Sequence, residues 1–195
     1  MPSRVSNKHL LEAGLTLLEE SGKEFTKLPN KGRAMLYKFS NGETVRVRTC
    51  NDHILIAVAD STEENANLNI EGTDWLLIVM PEIPRTPGNV IAYLIPTNVA
   101  IKEVREAHKR WLSTNPKTRG QNTTWNLWFS NDGPKKANGY ADKWSEYRLE
   151  YNSVSITEDS DSIINPIKAE IVAARLRISN LAGVSPEAVH ISIVF

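Results

Sequence analysis

The chain has 195 residues with 23 basic and 23 acidic side chains, and 41% of it is hydrophobic, which sets it among globular proteins and apart from disordered ones. A formal net charge of zero excludes attraction of polyanions by the whole molecule, so any nucleic-acid binding must come from a local patch. The one cysteine, Cys50, rules out an intramolecular disulfide and a cysteine-zinc scaffold and fits a reducing compartment.

The N-terminal segment carries Glu12, Glu19 and Glu20 inside its apolar periodicity, unlike a secretory signal, and no apolar run approaches about 18 residues. The chain is therefore expected to be soluble and cytoplasmic, with no membrane partner. Ser6 is a plausible N-cap, and Leu10, Leu11, Gly14, Leu17 and Leu18 recur at helical spacing until Gly22 ends the run. From Ala34 the period becomes two: MLYKFS, then Asn41-Gly42 as a tight-turn signal, then TVRVRT, which together read as a hairpin. His53 to Asp60 reads as another strand, and the polar stretch after it as a loop. DWLLIVMP and VIAYLIPT are near-continuous apolar runs of strand length, expected in the centre of a sheet covered on both faces.

After Asn98, read as an N-cap, Ile101, Val104, His108, Trp111 and Leu112 outline the apolar face of a second helix. Its remaining surface carries Lys102, Arg105, Lys109 and Arg110. TTWNLWF reads as a strand bearing Trp125 and Trp128, and KWSEYRLEY as a strand with Trp144, Tyr147 and Leu149 turned inward. Ile167, Ile171, Ala174, Ile178 and Leu181 suggest a last helix ended by Gly183, and VHISIVF a closing strand. This order argues for an α/β (α+β) domain spanning residues 1–195, in which a mixed central sheet is flanked by helices.

The zero net charge conceals blocks. Residues 22 to 48 hold Lys23, Lys27, Lys31, Arg33, Lys38, Arg46 and Arg48 against Glu24 and Glu43, a sum of plus five. Residues 49 to 84 hold seven acids and no Lys or Arg, and residues 85 to 150 eleven bases against six acids. Should the two basic blocks meet in the fold, with the acids facing elsewhere, a patch able to hold several phosphates results; should they mix on the surface, none does.

Within the hairpin, Arg46 and Arg48 stand two apart on a strand and so share a face, with Val45 and Val47 on the other. Here the chain resembles the restriction-endonuclease-like, or PD-(D/E)XK, nucleases, in which a helix precedes a hairpin whose second strand carries an acid-X-Lys triplet. The resemblance rests on the helix, Tyr37-Lys38-Phe39, Asn41-Gly42, Arg46-Val47-Arg48-Thr49 and the two later apolar strands followed by a helix. It covers residues 7–112 as a nuclease-like core and leaves 113–195 as a C-terminal strand-helix-strand extension. Nucleases of that family hold a divalent metal between carboxylates. In this chain the metal-binding acid falls at Lys38, the second acid at Arg46 and the catalytic lysine at Arg48. The resemblance thus implies a scaffold that has lost hydrolysis, with no metal, no cofactor and no catalytic residue at this pocket. What remains are guanidinium groups suited to bidentate phosphate recognition, or, on the plainer reading, a solvated hairpin face.

Other groups offer less. Asp52, Asp60 and Asp74 with His53 fit a displaced metal site only loosely, and caps or turns explain them as well. Cys50 reads as a small buried hydrophobe, although Arg48 stands near enough in sequence to activate it. The aromatics Trp125, Trp128, Tyr140, Trp144, Tyr147 and Tyr151, interleaved with Lys117, Arg119, Lys135, Lys136, Lys143 and Arg148, suit either base stacking or a packed core.

The favoured expectation is an inactive nuclease-like module binding DNA or RNA through Lys38, Arg46 and Arg48, with Lys31, Arg33, Lys109, Arg110, Lys117 and Arg119 as outlying phosphate contacts. Two alternatives stand beside it. One is a protein-interaction or assembly subunit, homo-oligomeric through its apolar terminal strand; the other is a metal-dependent nuclease with relocated carboxylates.

Overall fold

The computed structural model describes residues 4–29, 35–59, 61–114, 124–129, 139–149 and 155–156, together with 174–175, 177–179, 181–185, 188–189 and 191. The chain divides into two compact units, residues 1–157 and residues 158–195. The first is a mixed α/β unit built on an open, mostly antiparallel sheet.

Helix α1 spans Asn7–Glu20, and the Ser6 side chain accepts a hydrogen bond from the Lys8 amide at its start. Gly22, at φ +76°, turns the chain out of it. A short strand β1 (Phe25–Lys27) precedes the hairpin of β2 (Met35–Phe39) and β3 (Thr44–Thr49). In the turn, Asn41 accepts from the Glu43 amide and Gly42 takes φ +94°, as an Asn-Gly turn requires. Strands β5 (Trp75–Pro81) and β6 (Gly88–Pro96) follow the crossover, and helix α2 (Thr97–Thr114) leaves β6 without a break.

The main sheet runs β1-β2-β3-β5-β6-β8, with β8 at Ser155–Ile156. β3 and β5 pair in parallel and the other neighbours are antiparallel. β5 is buried along almost its whole length because both faces are covered. On one face, Leu10, Ala13, Leu17 and Leu18 of α1 pack with Val45, Val47, Leu77 and Val79. Gly14 lies against β5 so closely that an added Cβ would stand 2.3 Å from Val79 Cγ2. On the other face, Ala100, Val104 and Ala107 of α2 pack with Leu76, Ile78, Met80, Tyr93 and Ile95.

β4 (Ile54–Val58) lies outside the main sheet and pairs antiparallel with β7 (Trp125–Trp128) in a two-stranded ribbon. Leu55, Ala57, Trp125, Leu127 and Phe129 turn into the α2-side core. Two expectations are corrected. The buried stripe of α2 is Thr97, Ala100, Val104, Ala107 and His108, with Ile101, Trp111 and Leu112 half-buried at its margin, because small residues allow the helix closest to the sheet. Residues 140–147 are a short helix α3 (Tyr140–Lys143) and a 3₁₀ turn (Ser145–Tyr147) rather than a strand. Tyr140, Trp144 and Tyr147 stand at i, i+4 and i+7, a helical spacing that an alternating reading of the same letters misses. Leu149 then joins the Ala92 carbonyl.

In the second unit, residues 174–175, 177–179 and 181–182 are helical. Gly183, at φ +64°, ends the run, and the Val184 amide returns to the Ser179 carbonyl. Ile167, Ile171 and most of the expected closing strand lie outside the described residues. Among the described residues, no helix is long and apolar enough to cross a membrane.

Candidate nucleic-acid interface

The β2–β3 register sets Lys38 opposite Thr44 and Arg46 opposite Leu36, and the β3–β5 register sets Arg46 beside Leu76 and Arg48 beside Ile78. With alternating side chains, Lys38, Arg46 and Arg48 therefore share the face of the sheet that carries α2. β3 is an interior strand, so neither arginine lines a solvated edge. Both are half-buried, while Lys38, nearer the edge, is exposed.

The crossover between β4 and β5 covers the two arginines. Its Asn69 carbonyl accepts from Arg48 Nη1 at 3.0 Å and from Arg46 Nη1 at 3.3 Å. The same residue's amide is held by the Ala57 carbonyl at 2.8 Å, which fixes the acceptor above β3. Gly72, at φ +93°, lies beside the Arg46 head, where an added Cβ would stand in ordinary contact 3.6 Å from Nη2. Arg46 Nε is buried without a hydrogen-bond partner among the described residues. Burial lowers the Arg48 pKa from its ordinary value, and the like charge of Arg46 adds a smaller push in the same direction. A guanidinium stays charged under such a shift, so the pair is a fixed, partly desolvated double cation.

Of the two arrangements the sequence leaves open, the paired residues follow the mixed one, and the acidic block threads among the bases. Glu64 pairs with Lys109 at 3.0 Å, Glu71 with Arg105 at 2.5 Å, and Asp52 with Arg4 at 2.6 Å and with Arg85. The crossover lies over the sheet and beside α2, so its carboxylates fall within reach of helix cations that sequence distance hides. Lys109 thus has an acid partner, whereas Arg110 is exposed at the rim of a groove. Lys31, Arg33, Lys117 and Arg119 lie outside the described residues.

The carboxylates considered for a displaced metal site do not meet. Asp74 precedes β5 and Asp52 follows β3, at opposite ends of a parallel pair, separated by five or more strand residues, or roughly 16 Å. Shared metal coordination needs ligand atoms within about 2.6 Å of one ion. Each is also committed locally. Asp74 accepts from the Thr44 amide and hydroxyl, both at 2.8 Å, and these bonds hold its pKa below the usual carboxylate value. The Arg85 hydrogen bond, with help from Arg4, does the same for Asp52. His53, at φ +56°, sets its Nε2 2.6 Å from the Pro81 carbonyl and acts as a clip between strand ends. Asp60 lies outside the described residues. Among the described residues, no group of three or more His, Cys, Asp or Glu side chains is arranged to hold a metal ion.

Two concavities flank this region. One, of about 640 Å³, opens where β3, β5 and α2 begin and includes Glu43, Asp74, Trp75 and Thr97. Its carboxylates are already used: Glu43 accepts from Trp75 Nε1 at 3.1 Å and from Asn41 at 2.7 Å. The other, of about 460 Å³, lies between the C-terminal half of α2 and β7 and is lined by Trp111, Trp125 and Trp128 with Arg110. Expectation had divided the aromatics only between core and stacking surface. The signal that separates them is the three-residue spacing of Trp125 and Trp128, which on a strand puts one indole inward and the next outward. Trp125, Tyr140 and Trp144 are indeed core residues at 8%, 3% and 3% exposure. Cys50 is buried too, and burial pushes its thiol up to about 12 despite Arg48 beside it.

Compared with known proteins, the chain matches no family model, no curated protein and no solved structure.

Proposed function

We propose that this chain is a nuclease-like α/β domain that binds nucleic acid without cutting it. The observation that carries this reading is the common sheet face of Lys38, Arg46 and Arg48, the three positions at which the resemblance to restriction-endonuclease-like proteins calls for two acids and a lysine. Cations there repel a divalent ion and attract phosphate. Lys38 is exposed and both arginines are half-buried rather than fully enclosed, so the face has capacity beyond its bonds to Asn69. The order of α1, the β2–β3 hairpin, the buried strands β5 and β6 and then α2 adds support for the nuclease-like scaffold.

The test is a salt titration of DNA and RNA binding by the full chain and by two variants, Arg46→Glu with Arg48→Glu, and Lys38→Glu. The arginine pair also holds the crossover, so circular dichroism must first show a folded protein; Lys38, being exposed, keeps the test open if the pair variant unfolds. Each lost phosphate contact is expected to weaken binding and to lower the log–log salt slope by about 0.7 to 0.9. Unchanged affinity and slope in both folded variants refute the reading. A wild-type chain that self-associates in light scattering and binds neither polymer supports the assembly reading in its place.

A further inference from the structure

We infer that the groove between the C-terminal half of α2 and β7 seats an unpaired nucleobase of a single strand. This rests on the nucleic-acid-binding reading above and assigns to it a second contact of different chemistry.

The groove has the volume of a small-ligand site, about 460 Å³, and an unusual wall. Trp111 and Trp125 meet at 5.9 Å between ring centroids and 51°, and the His108 ring stacks on Trp111 at 6.1 Å and 18°. Trp125 is buried, so Trp111 and Trp128, both half-buried, are the indoles that a ligand can reach. Trp128 lies on the opposite face of β7 from Trp125, Leu127 and Phe129, which pack into the core on the α2 side. Two of its lining residues, Trp125 and Asn126, carry a donor, Nε1, and an acceptor, Oδ1, that are buried without hydrogen-bond partners among the described residues. Such unmatched polar atoms beside a cavity mark a place where a modest side-chain turn gives a ligand both kinds of bond. A base offers a flat π-face for the indoles and an edge bearing donors and acceptors.

Arg110 selects the kind of ligand. It stands exposed at the rim, and its planar guanidinium suits the phosphate that accompanies each base of a strand. A stacked duplex cannot offer its base faces to such a groove, so the site distinguishes single strands from double strands. An aromatic side chain of a peptide fills the cavity equally well but gives Arg110 no phosphate.

The experiment uses the full chain and four probes: a fluorescein-labelled oligothymidylate of about 12 nucleotides, a duplex of the same length, thymidine monophosphate, and a short peptide bearing an aromatic side chain. Intrinsic tryptophan emission and fluorescein anisotropy are read together. The expected result is quenching of tryptophan emission by the oligomer and a loss of oligomer affinity of about 5- to 150-fold in Trp128→Ala, the range of one base stack. Arg110→Ala is expected to weaken the oligomer and to reduce its salt slope by about 0.7. Duplex affinity stays within about twofold in both variants. Arg110 is exposed, so that variant decides the matter if Trp128→Ala fails to fold.

Oligomer binding that survives both substitutions yet falls in Lys38→Glu removes the groove and leaves the nucleic-acid reading intact. No binding of oligomer or duplex by the wild-type chain removes both. Monophosphate binding as tight as that of the oligomer makes the groove a free-nucleotide site, and failure of the oligomer alongside competition-sensitive binding of an aromatic peptide makes it a peptide site. Either outcome overturns the inference.

Discussion

Gly14→Ala is expected to destabilise the protein, although alanine is the better helix former. In an unconstrained helix the change gains about 1 kcal/mol of propensity, and burying one methyl adds roughly 0.8 kcal/mol. Against this, the new Cβ would lie 2.3 Å from Val79 Cγ2, 3.1 Å from Cγ1 and 3.3 Å from Cβ. Val79 is fully buried and sits in a central strand, so turning its χ1 exchanges one clash for another and relief requires α1 to lift by about an ångström. Overpacking of this severity costs about 3 kcal/mol, which leaves a net loss of about 1 kcal/mol. Val79→Ala alone should cost about 2 to 3 kcal/mol through lost burial and a residual cavity. In that background the contacts to the two γ-carbons disappear and only the 3.3 Å approach to Cβ remains, so Gly14→Ala should turn from destabilising to neutral or stabilising by up to about 1 kcal/mol. Urea denaturation of the four proteins at constant m-value tests this coupling. Stabilisation by Gly14→Ala in the wild-type chain, or effects that add within about 0.5 kcal/mol, would show that helix and strand do not meet as closely as described.

The remaining predictions concern titration. Because burial holds the Cys50 thiol at about 12, alkylation by iodoacetamide at pH 8 should be about three orders of magnitude slower in the folded chain than in urea, and equal rates would contradict its burial. The Asp52 pKa is depressed in the fold, first by Arg85, so its contribution is present above the unfolded value of about 3.9 and is lost as pH falls through the lower folded value. Asp52→Asn should therefore be the less stable protein at neutral pH and converge with the wild type in acid. Parallel stability curves down to about pH 2 would show that the Arg4–Asp52–Arg85 cluster contributes nothing.

Local periodicity sufficed for the elements whose burial is settled by their own letters. The α1 stripe with its Ser6 cap and Gly22 stop, the Asn41-Gly42 hairpin and the two apolar strands β5 and β6 all stand where spacing and turn chemistry put them. What escaped depends on partners far along the chain. A short apolar run such as ILIAV declares itself a strand, but nothing in it says that it pairs with Trp125–Trp128 instead of joining the main sheet. The common face of Arg46 and Arg48 followed from their spacing; their capture by the Asn69 carbonyl, over 20 residues away, did not. Counting charge by blocks failed at Lys109 for the same reason, since Glu64 reaches it only through the course of the crossover.

The double bond of Arg46 and Arg48 to one carbonyl creates a competition. A phosphate that engages either guanidinium end-on must share it with, or take it from, the Asn69 oxygen. By thermodynamic reciprocity, whatever tightens segment 61–74 over the strands weakens anion capture by the same factor that a captured anion loosens the segment. On the proposed reading, strap and phosphate would be rivals for one pair of side chains, and the grip of this face would be adjustable from residues that never touch a phosphate.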